Sequence, residues 1–274
     1  MKAQVLVYDD NCPLCIAYSQ LFVRYGLLQP EERKPFSTID ESLIAAIDFE
    51  KAKNEIPLID MNSGEVLYGI DALVSILSRK APLIKKIVAV KPVDWFLSRL
   101  YKFISFNRKV IVAKRCSQGT IDCAPSCNYF YRSLFLLFFL SFNTAMLYPV
   151  HTQLLNHLPN YHLSFMQLQV AHFLLVTINC TLSLSLSVKN AFEYLGQVNM
   201  LALTTIGLLL LFIPVAHLLN NASTIIIGYF LGLTIFIFKE YLRRMHYAGI
   251  LQRHHWIAAL NITSIAMLLL LLIN

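Results

Sequence analysis

The chain has 274 residues, 57% of them hydrophobic and only 14% charged, with a formal net charge of +7, which is too apolar for an ordinary soluble enzyme. The charge is segregated: residues 1–78 hold 6 Lys/Arg and 12 Asp/Glu, residues 79–132 hold 12 and 2, and residues 133–274 hold 5 and 2. An acidic head, a basic neck and a nearly uncharged tail predict a membrane protein whose neck suits a lipid surface better than nucleic acid, because long apolar segments follow it directly.

In chain order, Val5-Leu6-Val7 lies in a predicted buried strand over 3–9, followed by a helix over 13–28 that ends near Gly26 and Pro30. The first residues are too short and too soon acidic (Asp9, Asp10) for a secretory signal core, so the expectation is a head that is not exported ahead of the first span. A short strand follows over 34–39, then a helix opened by Asp40-Glu41-Ser42 with Leu43, Ile44 and Ile47 on one face. An apolar strand over 54–60, with Pro57 near its start, turns through Met61-Asn62-Ser63-Gly64 into a partner strand over 65–70, and Asp71 is expected to cap a third helix. The order β-α-β-α-β-β-α is that of a minimal thioredoxin or glutaredoxin fold. The fold class expected is an α/β thioredoxin-like N-terminal domain followed by an all-α transmembrane bundle of five helices. Its divisions are a dithiol domain over 1–80, a basic neck over 81–132 and a membrane domain over 133–274.

At the junction between the first strand and helix stands Tyr8-Asp9-Asp10-Asn11-Cys12-Pro13-Leu14-Cys15. A Cys-x-x-Cys at this place in an α/β pattern is a thioredoxin-like redox signature. Cys12 falls at the helix N-cap with Pro13 at the first helical position, where its missing N–H costs nothing. The unpaired backbone N–H groups and the helix dipole favour the Cys12 thiolate, the attacking species. Cys15, one turn on, is placed to resolve the mixed disulfide. The pair could instead be half of a zinc site, but no other Cys or His occurs before Cys116, or it could be inert.

Asp9-x-x-Cys12-x-x-Cys15 after an apolar strand resembles the DCC family of thiol-disulfide oxidoreductases, from about Ala3 to Cys116. The resemblance implies dithiol exchange with Cys12 as nucleophile and Cys15 as resolving thiol. Asp9 is then either a proton-transfer aid or a loop residue bonding backbone N–H groups. Family members usually carry Gly after the Asp; Asp10 stands here, and its negative charge is expected to raise the Cys12 pKa. The thioredoxin-like fold also implies a cis Ile56–Pro57 bond facing the cysteines.

In the neck, Pro82 to Val88 reads as a short basic amphipathic helix, and apolar residues at 93, 96, 97, 100, 103 and 104 give a second one with Arg99 and Lys102 on its other face. Trp95 and Tyr101 could sit at headgroup level. Lying on a lipid surface and packing on the sheet both remain open for this helix, with Tyr101 to Ile104 and Asn107-Arg108 resembling the end of DCC domains, which favours packing for its N-terminal part. Cys116, Cys123 and Cys127 follow as possible accessory redox residues, as three ligands of a metal site, or as thiols without a role.

Apolar segments over 133–150, 163–188, 198–219, 222–239 and 256–273 are each near the ~20 residues that span a bilayer. The second, with Gln167, Gln169, His172 and Asn179, is expected to face other helices. Lys189 and the group Lys239, Arg243, Arg244 and Arg253 occupy alternate connections, so the positive-inside rule puts the head in the cytoplasm and Asn274 on the opposite side, as in a bacterial inner membrane. No organic cofactor is required, with haem between His172 and His217 as an alternative. The function expected is a membrane-tethered thiol-disulfide oxidoreductase acting on a protein or small-molecule disulfide or thiol. The alternative is a membrane scaffold or transport-like module whose head senses redox state or docks a partner.

Overall fold

The computed structural model describes residues 4–114, 125–159, 161–220 and 222–273, with side chains described up to residue 268. Cys116 and Cys123 lie outside these. The chain divides into two compact units, residues 1–131 and 132–274.

The first unit is a small mixed sheet with helices on both faces. Its strands are β1 (Gln4–Tyr8), β2 (Arg33–Pro35), β3 (Pro57–Asp60) and β4 (Val66–Tyr68), in the order β2-β1-β3-β4. β1 runs parallel to β2 and antiparallel to β3, and β3 is antiparallel to β4. The alternation of side chains along a strand sorts the core into two layers. Leu6, Tyr8, Ile56 and Leu58 pack on one face with Ala72, Ile76, Phe22 and Tyr101. Val7 and Ile59 pack on the other with Phe36, Leu43, Ile47 and Ala52. The helices of this unit are α1 (Pro13–Arg24), α2 (Glu41–Ala46), α3 (Phe49–Asn54), α4 (Gly69–Leu77), α5 (Leu83–Val88) and α6 (Lys91–Val112), of which all but α5 supply core residues.

The structure departs from the expected elements in several places. The second strand, expected over 34–39, is only Arg33–Pro35, because Phe36–Thr38 forms a 3₁₀ turn. Helix α1 stops at Arg24, four residues short, because the chain turns at Gly26 with φ +62°. The span 49–54 is a separate helix, α3, whose N-cap Asp48 accepts a hydrogen bond from the Lys51 N–H at 3.0 Å. Asp71 lies in the first turn of α4 rather than at its cap, which is Tyr68. The Ile56–Pro57 peptide is trans, against the cis bond expected. Trans is the ordinary preference of an X-Pro bond. Ile56 is held on both sides in that arrangement, its N–H donating to Tyr101 Oη at 2.9 Å and its carbonyl accepting from the Gly69 N–H at 3.0 Å. Gly69 is required at that contact: its φ is +59°, and a Cβ would lie 3.2 Å from the Tyr101 ring and 3.1 Å from Glu55 Oε2.

Helix α6 resolves the question left open for the neck. Its second half is built into the head, with Ser105, Asn107, Arg108, Lys109 and Val110 buried. Tyr101, Ser105 and Arg108, spaced i, i+4 and i+7 on one face, bond in turn the Ile56 N–H, the Asn54 carbonyl and the Lys53 carbonyl. The first half exposes Trp95, Phe96 and Leu100 instead, against the packing expected of the N-terminal part.

In the second unit, four helices are long and apolar enough to cross a membrane among the described residues: α7 (Tyr129–Gln153), α8 (Phe165–Ser183), α9 (Val188–Leu218) and α10 (Ser223–Tyr247). After the short α11 (Ile250–Arg253) comes α12 (His255–Ile273), the fifth apolar helix, whose described apolar part, His255–Leu268, is shorter than the others. Lys189, Lys239, Arg243 and Arg244, expected in loops, lie inside the ends of α9 and α10.

Polar side chains tie the helices at several levels, the most charged at one end. Arg132 approaches Glu193 at 3.8 Å, Gln197 bonds both Glu193 and Arg244 at 2.7 Å, and Arg244 pairs with Glu240 at 2.7 Å. These bonds bring the N-terminal ends of α7 and α9 to the C-terminal end of α10. Deeper in, Asn179 Oδ1 accepts from Tyr194 Oη at 2.6 Å and from Asn261 Nδ2 at 2.7 Å, joining α8, α9 and α12. The polarity of α8 is thus partly interhelical, as expected. Thr177 and Thr181 instead satisfy their hydroxyls on carbonyls of their own helix.

Candidate dithiol site

The loop after β1 is folded by its own side chain. Asp9 Oδ1 accepts the Asn11 N–H at 2.9 Å, and the Asp9 carbonyl accepts the Cys12 N–H at 3.2 Å. This Asx-type turn delivers Cys12 to the N-cap of α1, in extended backbone with φ −105°, and Pro13 takes the first helical position. Helix α1 is locked from behind: buried Ser19 donates to the Cys15 carbonyl at 2.6 Å and accepts from Arg33 Nε at 2.8 Å. The Arg33 guanidinium in turn stacks 3.9 Å from the Tyr8 ring centroid.

Both cysteines are free thiols and buried, Cys12 1% and Cys15 2% exposed. Their sulfurs and one carboxylate oxygen of Asp9 all lie within 4.8 Å of one another. The Cys12 pKa is pulled down to about 6, chiefly by a hydrogen bond from the Cys15 thiol; burial opposes this, while the Cys15 N–H and the Arg108 charge assist. The Cys15 pKa is pushed far up, first by the same hydrogen bond and then by burial. The shared hydrogen bond thus favours the thiolate on Cys12 and keeps the proton on Cys15. The Asp10 carboxylate accepts the Ser37 N–H at 3.3 Å, and the Asp9 carboxylate is a charge that raises the Cys12 pKa.

Asp9 is buried and compensated. Arg108 Nη2 lies 3.4 Å from Asp9 Oδ2 and donates to the Lys53 carbonyl at 2.9 Å, and Lys109 Nζ lies 3.9 Å from the same Asp9 oxygen. Two phenols complete the surroundings of Cys15. Tyr18, one turn along α1, has its pKa raised first by burial, then by the charge and hydrogen bond of Cys15. Tyr101 is raised to about 12, mainly by burial, with the Ile56 N–H acting against this.

Of the residues singled out in the sequence, Asp9, Cys12 and Cys15 come together. Pro57 opens β3 and is buried, and extending the β1–β3 register (Leu6 opposite Leu58) sets it across from Val7, at the end of the sheet from which the cysteine loop leaves. Cys127 is half-buried beside Ser126, which bonds Asn54 Oδ1. His172 contacts Thr144 Oγ1 at 3.0 Å and His217 contacts Gln153 Oε1 at 3.1 Å. The residue that sequence reasoning missed as part of the site is Arg108. Its signal was the polar i, i+4, i+7 face of α6, which reads equally well as a solvent face.

No curated protein and no solved structure matches the chain significantly. Residues 6–114, which hold Asp9, both cysteines, Pro57 and Arg108, match the family model described as DCC1-like thiol-disulfide oxidoreductase.

Proposed function

We propose that the protein is a membrane-tethered thiol-disulfide oxidoreductase that works by dithiol exchange at Cys12 and Cys15. The observation that carries this reading is Cys12 at the N-cap of α1 with Cys15 one turn on, both sulfurs within 4.8 Å of each other and of an Asp9 oxygen, inside the stretch that matches the family model. The Cys12 thiolate attacks one sulfur of a substrate disulfide, forming a mixed disulfide and expelling the other sulfur as a thiolate. Cys15 then loses its proton and attacks the Cys12 sulfur. The products are a Cys12–Cys15 disulfide and a second substrate thiol, so two electrons pass from the dithiol to the substrate. The reverse sequence oxidises a dithiol substrate. Asp9, with a carboxylate oxygen within 4.8 Å of both sulfurs, is the group to receive the Cys15 proton, and Arg108 Nη2 holds that carboxylate in place from 3.4 Å. Pro57, at the same end of the sheet, serves as the edge along which a substrate chain lies. Because Cys12 is buried, a substrate sulfur reaches it only after neighbouring side chains part, which favours small or extended substrates.

Tethering is supported by the four apolar helices and by the layer of charge at one end of them. Arg132, Lys189, Lys239, Arg243 and Arg244 all belong to that end, which by the positive-inside rule is cytoplasmic and puts the head there too. Reduction of insulin disulfides by the full chain in detergent, with dithiothreitol as donor, tests the activity. Turnover lost in Cys12→Ser supports the reading, and an inactive natural protein favours a head that senses or docks.

A further inference from the structure

The half of α6 that leaves the dithiol alone has a surface of its own. Leu83 and Ile87 of α5, with Trp95, Phe96, Leu100 and Ile104 of α6, are all at least 40% exposed, Trp95 reaching 63%. Residues 96, 100 and 104 follow at i, i+4 and i+8, so they form one stripe along the helix. Contiguous apolar side chains of this size on a small sheet domain mark a contact with something else. Between residues 83 and 104 stand five basic residues (Lys85, Lys86, Lys91, Arg99 and Lys102) and one acidic, Asp94. Lys102 reaches Glu55 at 3.5 Å; Lys85, Lys86, Lys91 and Arg99 are exposed. The Arg99 guanidinium lies 5.9 Å from the Trp95 ring centroid.

We propose that α5 and the first half of α6 dock on the anionic lipid surface of the membrane that the chain crosses, with the stripe at the acyl boundary and the lysines among the headgroups. The charge argues for lipid over a second copy: opposing copies would set four exposed cations against four. The length of chain argues the same way. Helix α6 ends at Val112 and the first membrane-length helix begins at Tyr129, so 16 residues intervene, at most about 55 Å of extended chain. A tryptophan beside an arginine, above an apolar stripe, is also the composition of an interfacial helix. The proposal rests on the reading that α7 to α10 span a bilayer, which flotation of the reconstituted chain tests separately.

The experiment uses the full chain with Trp256→Phe, which leaves Trp95 as the single tryptophan, in nanodiscs holding one copy each. The difference between the natural chain and Trp95→Phe gives the same reading if that variant folds poorly. In phosphatidylglycerol–phosphatidylcholine discs brominated at shallow acyl positions, Trp95 emission shifts to the blue and is quenched. Both effects weaken in high salt, in phosphatidylcholine alone, and with Lys85→Glu/Lys86→Glu. Phe96→Glu/Leu100→Glu removes them while leaving the Cys12 alkylation rate unchanged. Water-like, unquenched emission in the anionic discs overturns the proposal. So does quenching that ignores lipid charge, or shielding of Trp95 that appears only with two copies per disc, which would make the face a self-interface. A chain that fails to float with lipid overturns the spanning reading and this proposal together.

Discussion

Replacing Cys15 by Ala removes the largest cause of the acidity of Cys12 while leaving the helix N-terminus and Arg108 in place. With the hydrogen bond gone, the Cys12 pKa rises from about 6 toward the ordinary thiol value of about 8.5, a change of about 300-fold in the thiolate-to-thiol ratio. At pH 7 the thiolate fraction then falls from about 90% to about 3% in that limit. The more basic thiolate is intrinsically the better nucleophile, by about 13-fold for a Brønsted slope near 0.45. The two effects give opposite signs at the two ends of the pH range. The natural protein should alkylate about 20-fold faster than Cys15→Ala at pH 5 and about 10-fold slower at pH 9, with the curves crossing near about pH 7.4. The assay is the iodoacetamide rate at Cys12 in the full chain, followed by peptide mass spectrometry so that Cys116, Cys123, Cys127 and Cys180 are scored apart. Cys15→Ser, which keeps an O–H donor, should lie between the two curves. A Cys15→Ala profile that keeps its midpoint near 6 would refute the reasoning and assign the acidity to the helix end and Arg108.

Arg108→Ala should destabilise the protein by about 3 kcal/mol, the low end for breaking a buried ion pair because Lys109 still faces Asp9. Asp9→Asn in the same chain should recover part of that loss in thermal denaturation. The same Arg108 variant should raise the Cys12 alkylation midpoint by less than Cys15→Ala does, since the Arg108 charge ranks below the thiol hydrogen bond. Tyr101→Phe leaves the Ile56 N–H buried without its acceptor and should cost about 1–3 kcal/mol, read by the same denaturation. A reporter active only outside the cytoplasm should work when fused after Asn274 and fail at Met1; activity at neither end would mean that α12 does not cross.

The local part of this architecture was legible because local physics decides it. Strand alternation in Val5 to Tyr8, a proline at the first helical position and two cysteines one turn apart place the dithiol without reference to anything distant. Helix α3 could have been found too, since Asp48 carries an N-cap signal, but Phe49–Asn54 is charged, buries only Ala52 and has too few residues to display a period. Arg108 was not legible for a different reason. It sits 99 residues from Asp9, and a charge is buried only by the tertiary contact that pairs it. The acidity of Cys12 is by contrast mostly local: its largest cause is the thiol of Cys15, three residues on, and the charge of Arg108 from α6 assists after the Cys15 N–H, while the side chain of Asp10 turns to Ser37. Pro57, which opens β3, was expected to follow a cis bond from fold likeness, whereas the Ile56–Pro57 peptide is trans.

The central claim is that Cys12 attacks and Cys15 resolves, and trapping in cells tests it most directly. Full-length chains carrying Cys15→Ser or Cys12→Ser, expressed at equal levels and quenched in acid with an alkylating agent, are compared on non-reducing gels. The account predicts dithiothreitol-sensitive adducts at Cys12 that accumulate in Cys15→Ser and are missing from Cys12→Ser. Adducts on Cys15 in the Cys12→Ser protein, with none in its counterpart, would contradict it.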